Sequence, residues 1–405
     1  MVIQLGASSM KKSNKSIVII ISIVILLLSF ITIVGQFLFL PKDSEGLDNS
    51  NGTRSAETTS TNQSDSTQTQ LAPPVIYKRT SEIINNYKQE IYTLEFDPLD
   101  NRIEFKPVLS FDSLFGFEKL SDMLLRENAY AGVNGAFFYE YGDPVGMAVI
   151  DGYMFSASTG MYPVLVINSK GAELRNLWTN IHYTINGQKT RVDNMNRTSK
   201  GNDIILYTSG YGSTNRVKEK NSVVMVEDNK IIAIRKGVTQ SELHDNISTL
   251  CFFGDKMKLV EKYKIGDQLI IDIQPKFDKY SQAYECGAWL VQDGKNVVKD
   301  WDAWVGNLTN YDPRTAIAIK PDGRVILLVV DGRQKDYSMG MSAKQLAEYL
   351  IKLGVKDAAM LDGGASSQMI VDGKLVNRPS DRGIERPLGG GLFVRIKTDG
   401  LKQTD

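Results

Sequence analysis

The sequence predicts an α+β protein: a mixed β-sheet domain with many hairpins and a βαβ crossover near the C-terminus, preceded by a single transmembrane helix. Three observations predict it. Asp-Gly pairs recur between short apolar runs, an apolar strand–helix–strand pattern fills residues 325–361, and residues 17–40 contain no charged side chain.

At the N-terminus, Ile17 to Leu40 is rich in Ile, Val, Leu and Phe. As a helix this stretch would run about 36 Å, enough to cross a hydrocarbon core of about 30 Å. Lys11, Lys12 and Lys15 precede it, and Asp43, Glu45 and Asp48 follow. The positive-inside bias therefore predicts a cytoplasmic tail over 1–16, an anchor over 17–40 and an extracytoplasmic remainder, a single-pass protein of the cell membrane. A cleaved signal peptide is the rival reading, but the stretch is long for one and ends Phe-Leu-Phe-Leu-Pro without an A-x-A site. Residues 41–76, rich in Ser, Thr, Asn and Gln, read as a solvated tether, because such a composition buries too little apolar surface to offset its ordering entropy.

The body divides into an N-terminal part, 77–127, and a main domain, 128–397. Asp151-Gly152, Asp293-Gly294, Asp322-Gly323 and Asp372-Gly373 each sit between apolar runs. Asp-Gly suits the left-handed backbone of a tight hairpin turn, and that geometry accounts for these four acids without a chemical role. Two helices are expected. Residues 117–127 set Phe117, Leu120 and Leu124 on one face. Residues 343–353 follow Ser342 with Gln345 three positions on, a capping box, and carry Leu346, Leu350 and Leu353 as a buried stripe before the stop at Gly354.

The second helix lies between Val325–Val330 and Ala358–Leu361, both continuously apolar, so the segment reads as a crossover joining two parallel strands. Asp331-Gly332-Arg333 ends the first strand and Asp362-Gly363-Gly364 the second. Parallel strands would deliver Asp331 and Asp362 to one sheet edge, about 4.8 Å apart if the strands are neighbours. Two carboxylates that close can divide acid, base and nucleophile roles. The plainer reading is that both acids cap turns. Their company favours chemistry: Arg314 opens a neighbouring strand, and Gly363, Gly364, Ser366 and Ser367 form a small-residue turn able to hold phosphate through backbone N–H groups.

Composition excludes several classes. Lys plus Arg and Asp plus Glu are both 47, giving no net charge and no sign of a nucleic-acid partner. The two His residues, His182 and His244, are far apart in sequence and lack ligand spacing. No EF-hand, G-x-S-x-G or H-E-x-x-H pattern occurs, so neither a metal nor a cofactor is expected. Cys251 and Cys286 would close a loop of roughly 35 residues, worth about 3–4 kcal/mol if oxidised; two buried free thiols is the other reading.

The run from Asp312 to Met369, with R-T-A-I-x-I, V-V-D-G-R, a helix and L-D-G-G-x-S-S, resembles the phosphodiester glycosidase family. That family includes the uncovering enzyme that removes N-acetylglucosamine from masked mannose, and bacterial relatives of the exopolysaccharide-biosynthesis type. Similar segments occur at 133–138, at Pro144–Gly146, at 192–215 around Asn196 and Arg197, and at 379–394. Ala136 and Ala365 stand where the family usually has Gly. A left-handed backbone at 365 would strain an Ala there.

The resemblance implies hydrolysis of a sugar-1-phosphodiester in a cell-surface or exopolysaccharide glycan, with a carbohydrate-phosphate substrate. It implies Asp331 and Asp362 as the catalytic carboxylates, Arg314 as the phosphate ligand with Arg333 and Arg386 as second choices, and Asn134 orienting a sugar hydroxyl or water. Gly363, Gly364, Ser366 and Ser367 would line the phosphate side, with Glu285 and Glu385 as reserve carboxylates. Asn134 as a turn residue, Phe137 and Phe138 as core, and Arg314 as a structural ion pair stay open. A non-catalytic glycan or phosphate-polymer-binding module on the same fold is the alternative function; a membrane-tethered scaffold would leave the Asp331, Asp362 and Arg314 cluster unexplained.

Overall fold

A computed structural model describes residues 72–397. The helix expected at 17–40, the tail at 1–16 and the tether up to residue 71 lie outside the described residues. The tether's expected end at residue 76 is too late, because the first strand begins at Val75. Among the described residues no helix is long and apolar enough to cross a membrane.

The α+β expectation is corrected. Among the described residues strand accounts for 45% and helix for 11%, so the architecture is mostly β. Six sheets carry it among those residues. The only α-helices among the described residues are seven and ten residues long. The physical reason lies in the hairpin punctuation. Between residues 148 and 285, short runs separated by turns are too short for α-helices and pair instead as strands of two to nine residues.

The elements that position the site are β1 (Val75–Ile84), β2 (Tyr87–Phe96), β3 (Ala131–Asn134), β4 (Gln282–Glu285), β5 (Arg314–Ile319), β6 (Val325–Val330) and β7 (Asp357–Met360), with helices α1 (Leu120–Arg126) and α2 (Ala343–Lys352). In the largest sheet the order is β1-β2-β6-β5-β7, followed by Trp289–Gln292 and Lys295–Asn296. Here the crossover expectation needs its second correction. β6 and β7 run in the same direction, but β5 lies between them, antiparallel to both. The turn at Asp322-Gly323 folds β5 back along β6 in register, Ile319 opposite Val325 and Arg314 opposite Val330. The place beside β6 is therefore taken before the chain returns through α2. The ends of β6 and β7 are two strand spacings apart, about 10 Å rather than one spacing.

Both faces of this sheet are buried, as its unbroken apolar strands predict. Ile317, Leu327 and Val329 point into a core shared with β3 and Tyr284 of β4. Ala316, Ala318, Ile326 and Leu328 face Leu346, Ala347 and Leu350 of α2. Burying each of those leucines contributes about 1.5–3 kcal/mol. The capping box of α2 is formed as expected: Gln345 N–H donates to Ser342 Oγ at 3.2 Å and Ser342 N–H to Gln345 Oε1 at 3.0 Å. α1 starts at Leu120, three residues later than expected, and Phe117 stays 40% exposed against Phe138.

Asp151-Gly152, Asp293-Gly294 and Asp372-Gly373 have positive φ at both positions, the backbone of a tight two-residue hairpin. Asp322-Gly323 is positive only at Gly323 and forms a longer loop. Cys251 and Cys286 are free and occupy different cores, which settles their pairing.

Candidate active site

Insertion of β5 changes the spacing of the acids but keeps them at one sheet edge. β5 runs against its neighbours, so its first residue, Arg314, meets the last residues of β6 and β7. Leu361 N–H donates to Thr315 O at 2.8 Å, fastening the chain just before Asp362 to β5. Arg314, Asp331 and Asp362 thus emerge at the same end of the sheet, and each meets a different environment.

Asp331 is 1% exposed. One carboxylate oxygen accepts from Asn377 Nδ2 at 2.8 Å and the other from Arg378 N–H at 2.9 Å. Burial pushes its carboxyl above the ordinary range, opposed by these two donors and the hydroxyls of Tyr92 and Tyr337. Asn377 also donates to Ser367 O at 3.0 Å, so Asp331 is tied through one side chain to the turn that follows Asp362.

Arg314 is equally buried. Its Nε donates to Met341 O at 3.0 Å and one Nη to Asn310 O at 2.9 Å, with Asp312 at 3.7 Å. Burial pulls the guanidinium below its usual range, countered by Asp312. Asn134, last in β3, uses both ends of its amide. Nδ2 donates to Asp362 O at 2.7 Å and Gly135 O at 3.1 Å, while Oδ1 accepts from Thr315 Oγ at 2.8 Å and Gln368 N–H at 3.1 Å. One side chain therefore pins β3, β5 and both ends of the 362–368 turn.

That turn is a short 3-10 helix over Gly364–Ser366. Several N–H groups expected to face a phosphate are already used: Gly364 donates to Pro313 O, Ser366 to Gly363 O and Ser367 to Gly364 O. Ser367 Oγ is buried without a partner among the described residues. The left-handed position is Gly364, at φ +61°, not Ala365, so the alanine at 365 meets no left-handed strain.

Asp362 itself is half-buried. Burial raises its carboxyl above the ordinary range, and Ser366, the Arg386 guanidinium and the Gly363 N–H work against that rise. Arg333, half exposed, donates Nε to Asp312 at 2.9 Å, and its Nη groups lie 3.2–3.3 Å from where a Cβ on Gly364 would stand. Guanidiniums of Arg386 and Arg333 thus flank an acid and a glycine turn, an arrangement suited to an anionic phosphoryl group.

The reserve carboxylates are otherwise engaged. Glu385 accepts from Ser121 N–H at 2.5 Å and Ser121 Oγ at 2.8 Å, capping the N-terminus of α1. Glu285, at the end of β4, accepts from Met147 N–H at 3.0 Å, Thr159 N–H at 2.8 Å and Thr159 Oγ. Phe137 packs in the core near Met360 and against Trp304. Among the described residues no group of three or more His, Cys, Asp or Glu could hold a metal ion.

Sequence reasoning did not single out a cavity of about 1230 Å³ lined by Tyr139, Asp143, Trp178, Arg197 and Arg216. Arg197 sits on its wall, donating to Asp143 at 2.9 Å and to Pro144 O and Val145 O at 3.2 Å for the latter. The available signal was the run 192–215, noticed for its resemblance and not read as lining a space. Asn377 and Arg378, which hold Asp331, were also missed.

Residues 127–395 match the family model for phosphodiester glycosidase. The chain is 30% identical over 211 residues to the SPbeta prophage-derived uncharacterized protein YomE of Bacillus subtilis, covering 47% of this chain and 32% of that one. It is 30% identical over 104 residues to the N-acetylglucosamine-1-phosphodiester alpha-N-acetylglucosaminidase of Bos taurus, covering 23% of this chain and 19% of that one. It therefore spans about a third or less of the length of these relatives. A crystal structure of a hypothetical protein from Synechocystis shares the fold, with a TM-score of 0.69 at 18% identity, over 80% of this chain and 62% of that one. The strand–helix–strand edge that carries Arg314, Asp331 and Asp362 lies inside the matched region, and the chain belongs to the phosphodiester glycosidase family.

Proposed function

We propose that this protein hydrolyses a sugar-1-phosphodiester at the sheet edge beside Asp362. The observation that carries the reading is a half-buried carboxyl flanked by the Arg386 and Arg333 guanidiniums on a glycine-rich turn. The relative from Bos taurus is named for this bond class, which supports the chemistry without naming the sugar here.

In this reading the phosphate lies against Arg386 and Arg333, and the anomeric carbon faces Asp362. Water attacks that carbon, its proton passes to Asp362, and the carbon–oxygen bond to phosphate breaks. The products are free sugar and a phosphomonoester. Phosphate leaves readily, so the residues serve mainly to hold charge and activate water. Asp331 and Arg314 act one layer behind: the first braces the turn through Asn377, the second fixes the start of β5. Asn134 is a positioning residue for the same turn.

The test is release of reducing sugar from a panel of sugar-1-phosphodiesters. Asp362→Asn is expected to abolish turnover, and Arg386→Gln to raise KM. Because Asp362 must be ionised to accept a proton, kcat/KM is expected to rise with pH, with a midpoint above the usual carboxylate range. Turnover by Asp362→Asn at the parent rate would end the assignment. Binding of the panel with no hydrolysis would favour the glycan-binding module instead.

A further inference from the structure

We propose that the 1230 Å³ cavity beside Tyr139 is a binding site for an extended glycan chain bearing an anionic group, and so that the protein acts on a polymer rather than a small phosphodiester. The polymer clause rests on the function proposed above; the binding site does not.

Size comes first. The space exceeds the roughly 300–1,000 Å³ typical of small-molecule sites, so it suits a chain of sugars better than one. Its wall is the second argument. Trp178 is 61% exposed, yet its indole lies against Gly160, where any Cβ would collide with it. Gly160 is also at φ +72°, so backbone conformation and ring contact both require glycine there. Tyr139 and Tyr141 are 49% and 64% exposed on the same cavity. Solvent-facing aromatic rings are apolar faces with negative quadrupoles, complementary to the C–H faces of sugars.

Charge is the third. The Arg216 guanidinium lies 4.2 Å from the Phe115 ring and 5.8 Å from that of Tyr211. No ion pair to it forms among the described residues. Its backbone is left-handed, φ +53°, an unfavourable conformation for arginine that the surroundings enforce. Arg197, in contrast, is committed to Asp143 and two carbonyls. With Arg191, Lys200 and Lys218, Arg216 is one of four cations on this wall outside any ion pair among the described residues.

Proximity to Asp362 is the fourth. Gly135 O accepts from Asp362 N–H, and Tyr139 is four residues further along the chain. Four residues reach at most about 14 Å, so one glycan can occupy both places.

Calorimetric titration of the full chain tests this with mannopentaose, chitopentaose, maltopentaose and pentamannosyl phosphate. The expected result is saturable binding, tightest for the phosphorylated sugar. Trp178→Ala should weaken it about tenfold, and Arg216→Gln should reduce the preference for the phosphorylated over the neutral pentaose. Tyr280→Ala, an exposed ring that does not line the cavity, should bind like the parent. Binding by none of the four sugars, or parent-like binding by both cavity variants, would overturn the proposal, as would loss of binding in Tyr280→Ala alone. Cavity binding without hydrolysis would sink only the proposed reaction.

Discussion

Replacing Asn134 by Ala separates a bracing role from a chemical one. The side chain makes four hydrogen bonds, and their loss is not evenly felt. Gly135 O keeps the donor it has from Asp362 N–H. Gln368 N–H and Asp362 O have no such substitute, and Gln368 is fully buried. Two stranded backbone groups cost about 1–3 kcal/mol each, and the bonds themselves add about 1 kcal/mol. Asn134→Ala should therefore lose about 3–7 kcal/mol, a large share of the 5–15 kcal/mol typical of a domain. Urea unfolding followed by tryptophan fluorescence measures it, with single-substrate kinetics run in parallel. Turnover should fall because the Asp362 turn is released, and a substrate-analogue complex should recover part of the lost stability. A variant as stable as the parent but inactive would refute the bracing argument and make Asn134 a direct participant.

Three further outcomes are expected. Glu385→Ala removes the cap on α1 and should cost about 1–2 kcal/mol in urea unfolding while kcat persists; an inactive but fully stable variant would return Glu385 to the chemistry. Gly364→Ala places a Cβ at φ +61° against Arg333 and should cost about 1–2 kcal/mol and raise KM, so unchanged KM would argue against Arg333 as a phosphate ligand. Asp362→Asn bears on stability as well as rate. Burial raises the folded pKa, so the stabilising contribution of the protonated acid is full below the unfolded value of about 4 and is lost as pH rises through the folded value. Asparagine removes that loss, and its stability advantage should widen with pH; a constant gap from about pH 4 to 8 would contradict the shift.

Local signals in the sequence were read with most success where one residue type has one physical use. Three Asp-Gly turns and the Ser342–Gln345 box depend on neighbours within four positions, and they stand as expected. The shared edge of Arg314, Asp331 and Asp362 was also legible, because strand direction follows from hairpin and crossover alike. What failed was adjacency. Whether β5 or β7 lies beside β6 depends on which pairing forms, and apolar runs such as Thr315–Ile319 and Ala358–Leu361 are equally good partners. Side-chain destinations were harder still. Nothing near Glu385 in sequence points to Ser121, 264 positions away, and nothing near Asp331 points to Asn377. Helix content was overestimated because an amphipathic stretch such as 117–127 supports only seven helical residues once Phe117 turns out to solvent.

The bonds of Asn134 to Asp362 and Gln368 join residues 228 and 234 positions apart, and β2 pairs with β6 across a similar distance. Such topology means slow acquisition of the native state, since long loops must close before any reward arrives. It also acts as a quality check during synthesis. A ribosome-bound chain stalled before residue 368 would lack the lock on its own turn, leaving the carboxyl at 362 unsupported. Catalytic competence should then appear late and all at once, and partial chains should be inert rather than weakly active.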